Sequence, residues 1–171
     1  VMECGATTVK KVFLELGGKS AFIVLDDADL GLSAMLAGFT ICSHAGQGCA
    51  ITTRLLVPAS KYDEAVEQTA AIMAGVPYGD PTDPGMMMGP LVSAAQRDKV
   101  DAYVQSAVDE GGTVVLGGKV PEHLPDGFFY EPTLIAGVGP DAKINQEEVF
   151  GPVLAVLPFD DDDAAVAIAN D

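Results

Sequence analysis

The segment VFLELGGKSAFIVL, residues 12–25, sets two apolar runs on either side of a pair of glycines. Residues 12–16 and 21–25 therefore predict two buried strands, or one strand that Gly17-Gly18 interrupts. The acidic residues at 26–29 suit the start of a helix, because carboxylate oxygens accept hydrogen bonds from its free N–H groups. Apolar residues at most positions extend that helix through Ile41 and predict that it is deeply buried.

Strands and helices continue to alternate along the rest of the chain. Further strands are predicted at residues 54–57, 113–116, 128–130, 133–138 and 153–159, and further helices at residues 60–73, from Ser93 through Ala107, and at 164–169. Residues 75–92 are rich in glycine and proline, which is typical of a packed or functional loop rather than a domain linker. This order predicts an α/β fold with an open, largely parallel sheet covered by helices.

Length, charge and composition argue against several classes of protein. The 171 residues are enough for one domain with its own core. The net charge of −16 argues against binding to nucleic acid and to anionic membranes, which both select basic surfaces. No run of about 18 apolar residues is present to span a bilayer. Three cysteines without a secretory signal predict a reducing, cytoplasmic environment.

Two glycine motifs match parts of nucleotide-binding loops. Gly18-Lys19-Ser20 matches the end of a phosphate-binding loop, but Phe13 stands where that loop requires a glycine. Residues 137–142, GVGPDA, fit the pattern of a dinucleotide-binding loop after a predicted strand, yet only residues 141–150 are left for a helix before Gly151-Pro152. That length is too short for a helical crossover, so the second match predicts a turn.

Metal binding is also disfavoured. Cys42, His44 and Cys49 supply thiolate and imidazole ligands, but zinc needs four ligands and no second pair stands at a suitable spacing. The acidic run at 160–163 lacks the spaced ligands and the later glutamate of a calcium loop, and it predicts a helix start instead. His44 is a conceivable base for Cys49, although a loop histidine without a catalytic role is the simpler interpretation.

Cys49 and Glu15 are the strongest candidates for chemistry. Cys49 lies in the segment GQGCA, residues 46–50, where small neighbours let a substrate approach the sulfur and leave a backbone N–H free for an oxyanion. Glu15 stands at the end of the first predicted strand, where partial burial would tune its carboxylate toward general-base catalysis. A soft nucleophile with such a carboxylate suits attack on an aldehyde or ester carbonyl, followed by hydrolysis.

Three motifs together resemble one enzyme family. They are ELGGKS at residues 15–20, GQGC at residues 46–49 and EEVFGPV at residues 147–153. In this order and at these distances they resemble the NAD(P)-dependent aldehyde dehydrogenase superfamily. Shorter matches at residues 77–81, 88–91 and 129–133 extend the resemblance over essentially the whole chain.

The resemblance implies roles for individual residues. Cys49 matches the nucleophile that attacks the aldehyde to form a thiohemiacetal, which becomes a thioester when hydride passes to the nicotinamide. Glu15 matches the base that activates water to hydrolyse the thioester, and the backbone N–H of Cys49 matches half of the oxyanion hole. Glu148 matches the carboxylate that holds the nicotinamide ribose, and Phe150 matches the aromatic residue beside it.

Further positions follow from the same resemblance. Leu16 and Gly17 match the backbone that meets the nicotinamide carboxamide. Gln96 and Lys99 match a helix that approaches the cofactor. Cys4 and Cys42 match no catalytic position, and both are therefore predicted to be packing residues.

The resemblance also implies a larger parent enzyme. Family members are about three times longer on the usual domain arithmetic, so residues 1–171 are expected to be part of a catalytic domain. The nucleotide-binding domain, the amide that completes the oxyanion hole and the strand used for homo-oligomerisation are expected to lie outside this chain. Most of the contacts to NAD or NADP would then be missing, and we expect little turnover of a small-molecule aldehyde by these residues alone.

Two other functions stay open on the sequence. The first is a non-catalytic interaction module of the same fold. The second is a thiol-dependent esterase or redox-sensing protein that uses Cys49 without a nucleotide.

Overall fold

Five strands form one sheet in the computed structural model, which describes all 171 residues. The strands are β1 (Ala21–Ile23), β2 (Arg54–Pro58), β3 (Thr113–Leu116), β4 (Thr133–Ala136) and β5 (Val153–Phe159). The helices are α1 (Met2–Ala6), α2 (Leu30–Cys42), α3 (Tyr62–Ala74), α4 (Ala94–Asp109), α5 (Lys143–Gln146) and α6 (Asp162–Asn170). No helix has the length and apolar character that crossing a membrane requires.

The sheet is largely parallel, as the alternation of strands and helices predicts. Its strand order is β1-β2-β5-β4-β3. The pairs β1/β2, β2/β5 and β4/β5 are parallel, and only the edge strand β3 runs antiparallel to its neighbour β4. The predicted α/β fold with an open, largely parallel sheet is confirmed.

Helices cover both faces of the central strands. Leu55 and Val156 belong to a large apolar core with residues of α2, α3 and α4, whereas Leu56 and Leu157 pack with Ala165 of α6. Successive side chains of a strand point to opposite faces. Both faces of β2 and β5 are therefore buried, which explains why these strands are apolar runs rather than alternating patterns.

Three of the helices begin where the sequence places a capping side chain. Asp29 accepts a hydrogen bond from the amide of Leu32 at the start of α2. Ser93 and Asp161 cap α4 and α6 in the same way. The acidic residues at 26–29 and 160–163 and the serine at 93 are thus helix starts, as predicted, because each oxygen satisfies a free N–H of the first turn.

The predicted first strand, residues 12–16, is wrong. Residues 11–20 have no regular secondary structure, and Phe13 and Leu16 are 84% and 72% exposed. β1 begins only at Ala21, the point from which β2 offers parallel hydrogen-bonding partners. An apolar run without a neighbouring strand has no partners for its backbone N–H and C=O groups, so the pattern alone does not make it a strand.

Three smaller predictions also need correction. Residues 128–130 are not a strand, although Tyr130 is buried and its hydroxyl donates to Asp101. Ser60 lies in a short 3-10 turn before α3 and caps no helix. Helix α2 is not deeply buried on all sides. Its exposed apolar residues are Leu32, Met35, Leu36 and Phe39, each between 38% and 51% exposed.

Candidate active site

Residues 15–20, here called the glycine loop, lead into β1 at the edge of the sheet. Glu15, Leu16 and Gly17 are all exposed, and no strand precedes them. The prediction that Glu15 ends a buried strand is therefore wrong, and the burial expected to tune its carboxylate is absent. The loop instead presents Glu15 on an accessible surface.

The glycine loop lies against Glu148, a residue far along the chain. The amide of Gly18 donates a hydrogen bond of 3.2 Å to Oε1 of Glu148. A β-carbon on Gly17 would lie only 2.6 Å from Oε2 of the same carboxylate. The backbone at 17 thus lies close to the carboxylate, and a side chain there would displace the end of the Glu148 side chain.

Residues 46–49, here called the cysteine turn, are adjacent to the glycine loop. A β-carbon on Gly18 would lie 3.6 Å from the carbonyl oxygen of Cys49. Cys49 is exposed and free, and its backbone N–H donates to no protein acceptor. Both the sulfur and one backbone donor are thus available to a substrate.

A left-handed stretch of backbone carries the chain from α2 into the cysteine turn. His44, Ala45 and Gly46 have φ values of 51°, 54° and 71°. This conformation is costly for residues with a β-carbon and persists only where the surroundings fix it. Gln47 supplies part of that support, since its side chain accepts from the amide of Val92 and donates to the carbonyl of His44.

The cysteine turn also rests on the segment that follows Glu148. A β-carbon on Gly46 would overlap the carbonyl of Gly151, and one on Gly151 would overlap the side chain of Val100 in α4. The two glycines let three layers of chain approach more closely than any side chain permits. This packing couples the position of the cysteine turn to that of residues 148–151.

Side chains of helix α4 form hydrogen bonds with the backbone carbonyls of the segment around Glu148. The side-chain amide of Gln96 donates hydrogen bonds to the backbone carbonyls of Val149 and Phe150, at 3.0 and 2.8 Å. The amine of Lys99 donates to the carbonyl of Glu148 at 3.1 Å. Phe150 has a φ of 59°, and the bonds from Gln96 help to fix that left-handed conformation. Gln96 and Lys99 therefore contact the residues that flank the site.

Lys19 and Arg54 also lie at the site, although no sequence motif assigns either of them a role there. The Nζ of Lys19 is buried and has no hydrogen-bond partner. Burial lowers the pKa of Lys19 to about 7, with a further lowering by the charge of Arg54 and an opposing effect of Glu148. Arg54 is itself buried and donates to the carbonyl of Lys19 and to two carbonyls at the end of α6. The sequence signal that could have identified Arg54 is an arginine at the start of an otherwise apolar strand.

The other two cysteines lie apart from this chemistry. Cys42 is fully buried, and burial raises the pKa of its thiol to about 12, so it is a packing residue as predicted. Cys4 is exposed on α1, which makes the prediction that it packs in the interior wrong. No group of three or more His, Cys, Asp or Glu side chains is arranged to hold a metal ion.

An open cleft of about 730 Å³ borders the cysteine turn on the side of His44. It is lined by Ser43, His44, Gln47 and Phe150 together with residues of the 81–92 loop. Neither Cys49 nor Glu15 lines this cleft. It adjoins the sulfur-bearing turn without containing it.

The site is therefore an exposed thiol on a glycine-bracketed turn, beside a glycine loop that binds a carboxylate. Over residues 1–171 the sequence matches the aldehyde dehydrogenase family. The chain belongs to that family.

Individual aldehyde dehydrogenases of similar sequence support the same assignment. The chain is 44% identical over 171 residues to a chloroplastic aminoaldehyde dehydrogenase of Arabidopsis thaliana and 40% identical to a chloroplastic betaine aldehyde dehydrogenase of Beta vulgaris. Both matches cover 100% of this chain and 34% of the relative. The chain thus spans about a third of the length of these relatives.

Solved structures show the same fold. The chain matches an aldehyde dehydrogenase of Mycobacterium tuberculosis in complex with NAD+ at a TM-score of 0.95 and 45% identity, covering 99% of this chain and 35% of that one. It matches the lactaldehyde dehydrogenase of Escherichia coli at a TM-score of 0.93 and 40% identity, again over 99% of this chain and 35% of that chain.

Proposed function

We propose that residues 1–171 are part of the catalytic domain of an NAD(P)-dependent aldehyde dehydrogenase that oxidises an aldehyde to a carboxylic acid. The observation that carries this proposal is the meeting of three distant segments. Gly17 and Gly18 contact Glu148, Gly18 faces the carbonyl of Cys49, and Gly46 packs on the segment that follows Glu148. Family membership adds the reaction class.

Cys49 is the proposed nucleophile. Its sulfur, exposed on a turn of small residues, adds to the aldehyde carbon and forms a thiohemiacetal. The backbone N–H of Cys49 donates to no protein acceptor, which supports a role as a donor to the developing oxyanion. Loss of hydride from the same carbon leaves a thioester on Cys49, which water then hydrolyses to the acid and the free thiol.

Glu15 is the proposed base for the hydrolysis. Its carboxylate lies on the same loop as Gly18, whose neighbour across the site is Cys49. An exposed carboxylate can take a proton from water as the water attacks the thioester. The accessible position of Glu15 suits a step in which water must enter.

Glu148, Phe150, Leu16 and Gly17 are the proposed contacts to the nicotinamide half of NAD or NADP. The backbone at 17 and 18 lies against the Glu148 carboxylate, which supports this role. Glu148 would accept hydrogen bonds from the ribose hydroxyls, and the Phe150 side chain would lie beside the ribose. The nicotinamide, when bound, supplies the hydride acceptor.

The 171 residues alone should turn over aldehyde poorly. Half of an oxyanion hole would be missing, which costs about 3–4 kcal/mol of transition-state stabilisation. The parent enzyme is proposed to be a homo-oligomer that supplies the remaining cofactor contacts. Sustained NADH formation by the isolated chain would contradict this part of the proposal.

The test uses the longest open reading frame that encodes this chain, assayed with betaine aldehyde and an aminoaldehyde. Cys49→Ala should abolish aldehyde-dependent NADH formation, whereas the control Cys4→Ala, which changes the other exposed cysteine, should keep it. Glu15→Gln should leave the first turnover intact and let an acyl-enzyme accumulate, visible by mass spectrometry. Retained activity in Cys49→Ala would overturn the proposal.

The same variants separate the alternatives. Ester hydrolysis that needs Cys49 but no nucleotide, without aldehyde oxidation, would instead indicate a thiol esterase. Equal alkylation rates of Cys49 and Cys4 by iodoacetamide near neutral pH, in a chain without any activity, would indicate a non-catalytic module.

A further inference from the structure

Two glutamates stand side by side at residues 147 and 148, and the proposed reaction uses only Glu148. The backbone at Glu147 is extended, with φ −113° and ψ 150°. Successive side chains of an extended segment point to opposite sides. The carboxylate of Glu148 accordingly reaches the amide of Gly18 in the glycine loop, whereas that of Glu147 reaches Tyr103 in α4. The segment thus presents one carboxylate to the proposed cofactor site and the other to a helix.

Helix α4 contacts this segment along one of its faces. Positions 96, 99, 100 and 103 lie on the same side of the helix because they are spaced by three and four residues. Three of them form hydrogen bonds to successive residues of the segment in reverse order: Gln96 with the carbonyls of Phe150 and Val149, Lys99 with the carbonyl of Glu148, and Tyr103 with the carboxylate of Glu147. At the fourth position, Val100 packs against Gly151. This row of contacts fixes the register between the helix and the segment.

The bond from Tyr103 is the one contact in the row that binds a side chain of the segment. The Tyr103 hydroxyl donates to Oε2 of Glu147 at 2.7 Å. The amines of Lys99 and Lys143 lie 5.6 and 5.2 Å from the centre of the Tyr103 ring, where cation–π attraction helps to hold it. Burial, together with the bond to Glu147 and the charges of both glutamates, raises the pKa of Tyr103 to about 12. The hydroxyl therefore keeps its proton and remains a donor near neutral pH.

We propose that Tyr103 is a positioning residue, whose hydroxyl binds Glu147 and thereby holds the neighbouring Glu148 toward the glycine loop and the ribose of a bound cofactor. Without this bond the backbone at 147 and 148 is free to turn, and the carboxylate of Glu148 spends less time at the amide of Gly18. The bonds from Gln96 and Lys99 to carbonyls remain, so the loss is partial. This inference rests on the proposed function, because it takes Glu148 as the ribose contact.

The first experiment measures the position of Glu148 without any cofactor. Within residues 15–20 the amide of Gly18 is the only one that donates to a protein acceptor. Hydrogen exchange of peptides that cover this loop, read by mass spectrometry in the longest reading frame that encodes the chain, therefore reports the bond between Gly18 and Glu148. Tyr103→Phe should speed the exchange of that amide about fivefold, as expected for one weakened hydrogen bond. An unchanged exchange rate overturns the proposal.

Tyr62→Phe is the matched control, because it also removes a hydrogen-bonded hydroxyl. The Tyr62 hydroxyl accepts from the amide of Gly137 at 2.9 Å and donates to the carbonyl of Val156 at 3.3 Å. Neither partner belongs to the glycine loop or to residues 147–151. Tyr62→Phe should therefore lower the stability of the protein and leave the exchange of the Gly18 amide as in wild type.

The second experiment measures NAD+ binding by calorimetry in the same reading frame. Tyr103→Phe should weaken binding about fivefold and leave the KM for aldehyde unchanged. Glu147→Ala removes the acceptor of the same bond and should weaken binding equally, and the double variant should bind no more weakly than either single one. In a Glu148→Ala background, Tyr103→Phe should cause no further loss, since it acts through Glu148.

The outcomes distinguish this inference from the proposed function. A Tyr103→Phe protein that is less stable but binds NAD+ as wild type does has lost only a structural bond, which overturns the inference and leaves the proposed function intact. Further weakening in the Glu148→Ala background also overturns it, because Tyr103 would then act by another route. Absence of NAD+ binding by wild type overturns the proposed function, and the exchange of the Gly18 amide then still decides whether Tyr103 positions Glu148.

Discussion

Replacement of Lys19 by methionine is expected to change how the stability of this chain depends on pH. In the native chain, burial and the charge of Arg54 lower the pKa of Lys19 from 10.5 to about 7, against the opposing charge of Glu148. The unfolded chain keeps the ordinary value, so between these two pH values it binds one more proton at this site. Stability rises with pH wherever the unfolded state binds more protons, so the free energy of unfolding gains a positive slope from Lys19 over that interval.

The size of the effect follows from the shift itself. A lowering of the pKa from 10.5 to about 7 corresponds to about 5 kcal/mol, at about 1.4 kcal/mol per pKa unit. This penalty is fully present below about pH 7 and is gone above about pH 10.5. Methionine is similar in length, carries no charge and forfeits no hydrogen bond, because Lys19 Nζ makes none. Lys19→Met should therefore be more stable than wild type by up to about 5 kcal/mol at about pH 6, an advantage that fades toward pH 10.

Urea unfolding followed by far-ultraviolet circular dichroism at a series of pH values measures this difference, and the chain's lack of tryptophan makes that probe preferable to fluorescence. The control Lys119→Met exchanges an exposed lysine and should run parallel to wild type at every pH. Parallel curves for Lys19→Met and wild type, or a Lys19→Met chain that is less stable at about pH 6, would refute the reasoning.

Three further outcomes are expected. Gly46→Ala should lose at least about 2 kcal/mol of stability in urea unfolding, because the backbone at 46 is left-handed and a β-carbon there would overlap the backbone of Gly151. The control Gly139→Ala has open space around the new methyl group and should lose much less. Equal losses in the two variants would contradict the packing argument. Gln96→Leu should lose about 1–3 kcal/mol, since two carbonyls lose their donor, and an unchanged urea midpoint would show that those bonds do not stabilise the segment. Cys42 should resist a thiol reagent in the native chain and react only on unfolding, whereas the two exposed cysteines should react at once; native labelling of all three would contradict the burial.

Much of the fold could be predicted because local chemistry and tertiary contacts agree. The caps Asp29, Ser93 and Asp161 begin their helices where a side-chain oxygen meets free N–H groups. Strands β2 and β5 are apolar at nearly every position because both of their faces are buried. In each case one physical cause acts within a few residues, so the sequence carries the signal.

The wrong predictions concern features that depend on which neighbouring elements are present. Residues 12–16 have the composition of a strand, yet nothing pairs with their backbone, and they remain exposed. The prediction that Glu15 is buried depended on that strand, and it is wrong for the same reason. The exposed apolar side of α2 likewise shows that composition does not specify which neighbours are present.

The candidate site divides in the same way. The motifs around Glu15, Cys49 and Glu148 could be found from the sequence, because residue type and local spacing define them. The inward amine of Lys19 and the three carbonyls bonded by Arg54 could not, because their partners lie on separate elements and only packing brings them together.

The sequence by itself determined the α/β class, the positions of most helices and strands, and the three motifs that mark the chain as an aldehyde dehydrogenase relative. These are properties of short segments, where residue type and periodicity act directly. Only the tertiary structure decided that residues 15–18 of the glycine loop are exposed, that Gly18 binds the Glu148 carboxylate and that the amine of Lys19 is buried. Burial and charge at one point depend on every element that meets there, and no single segment contains that information.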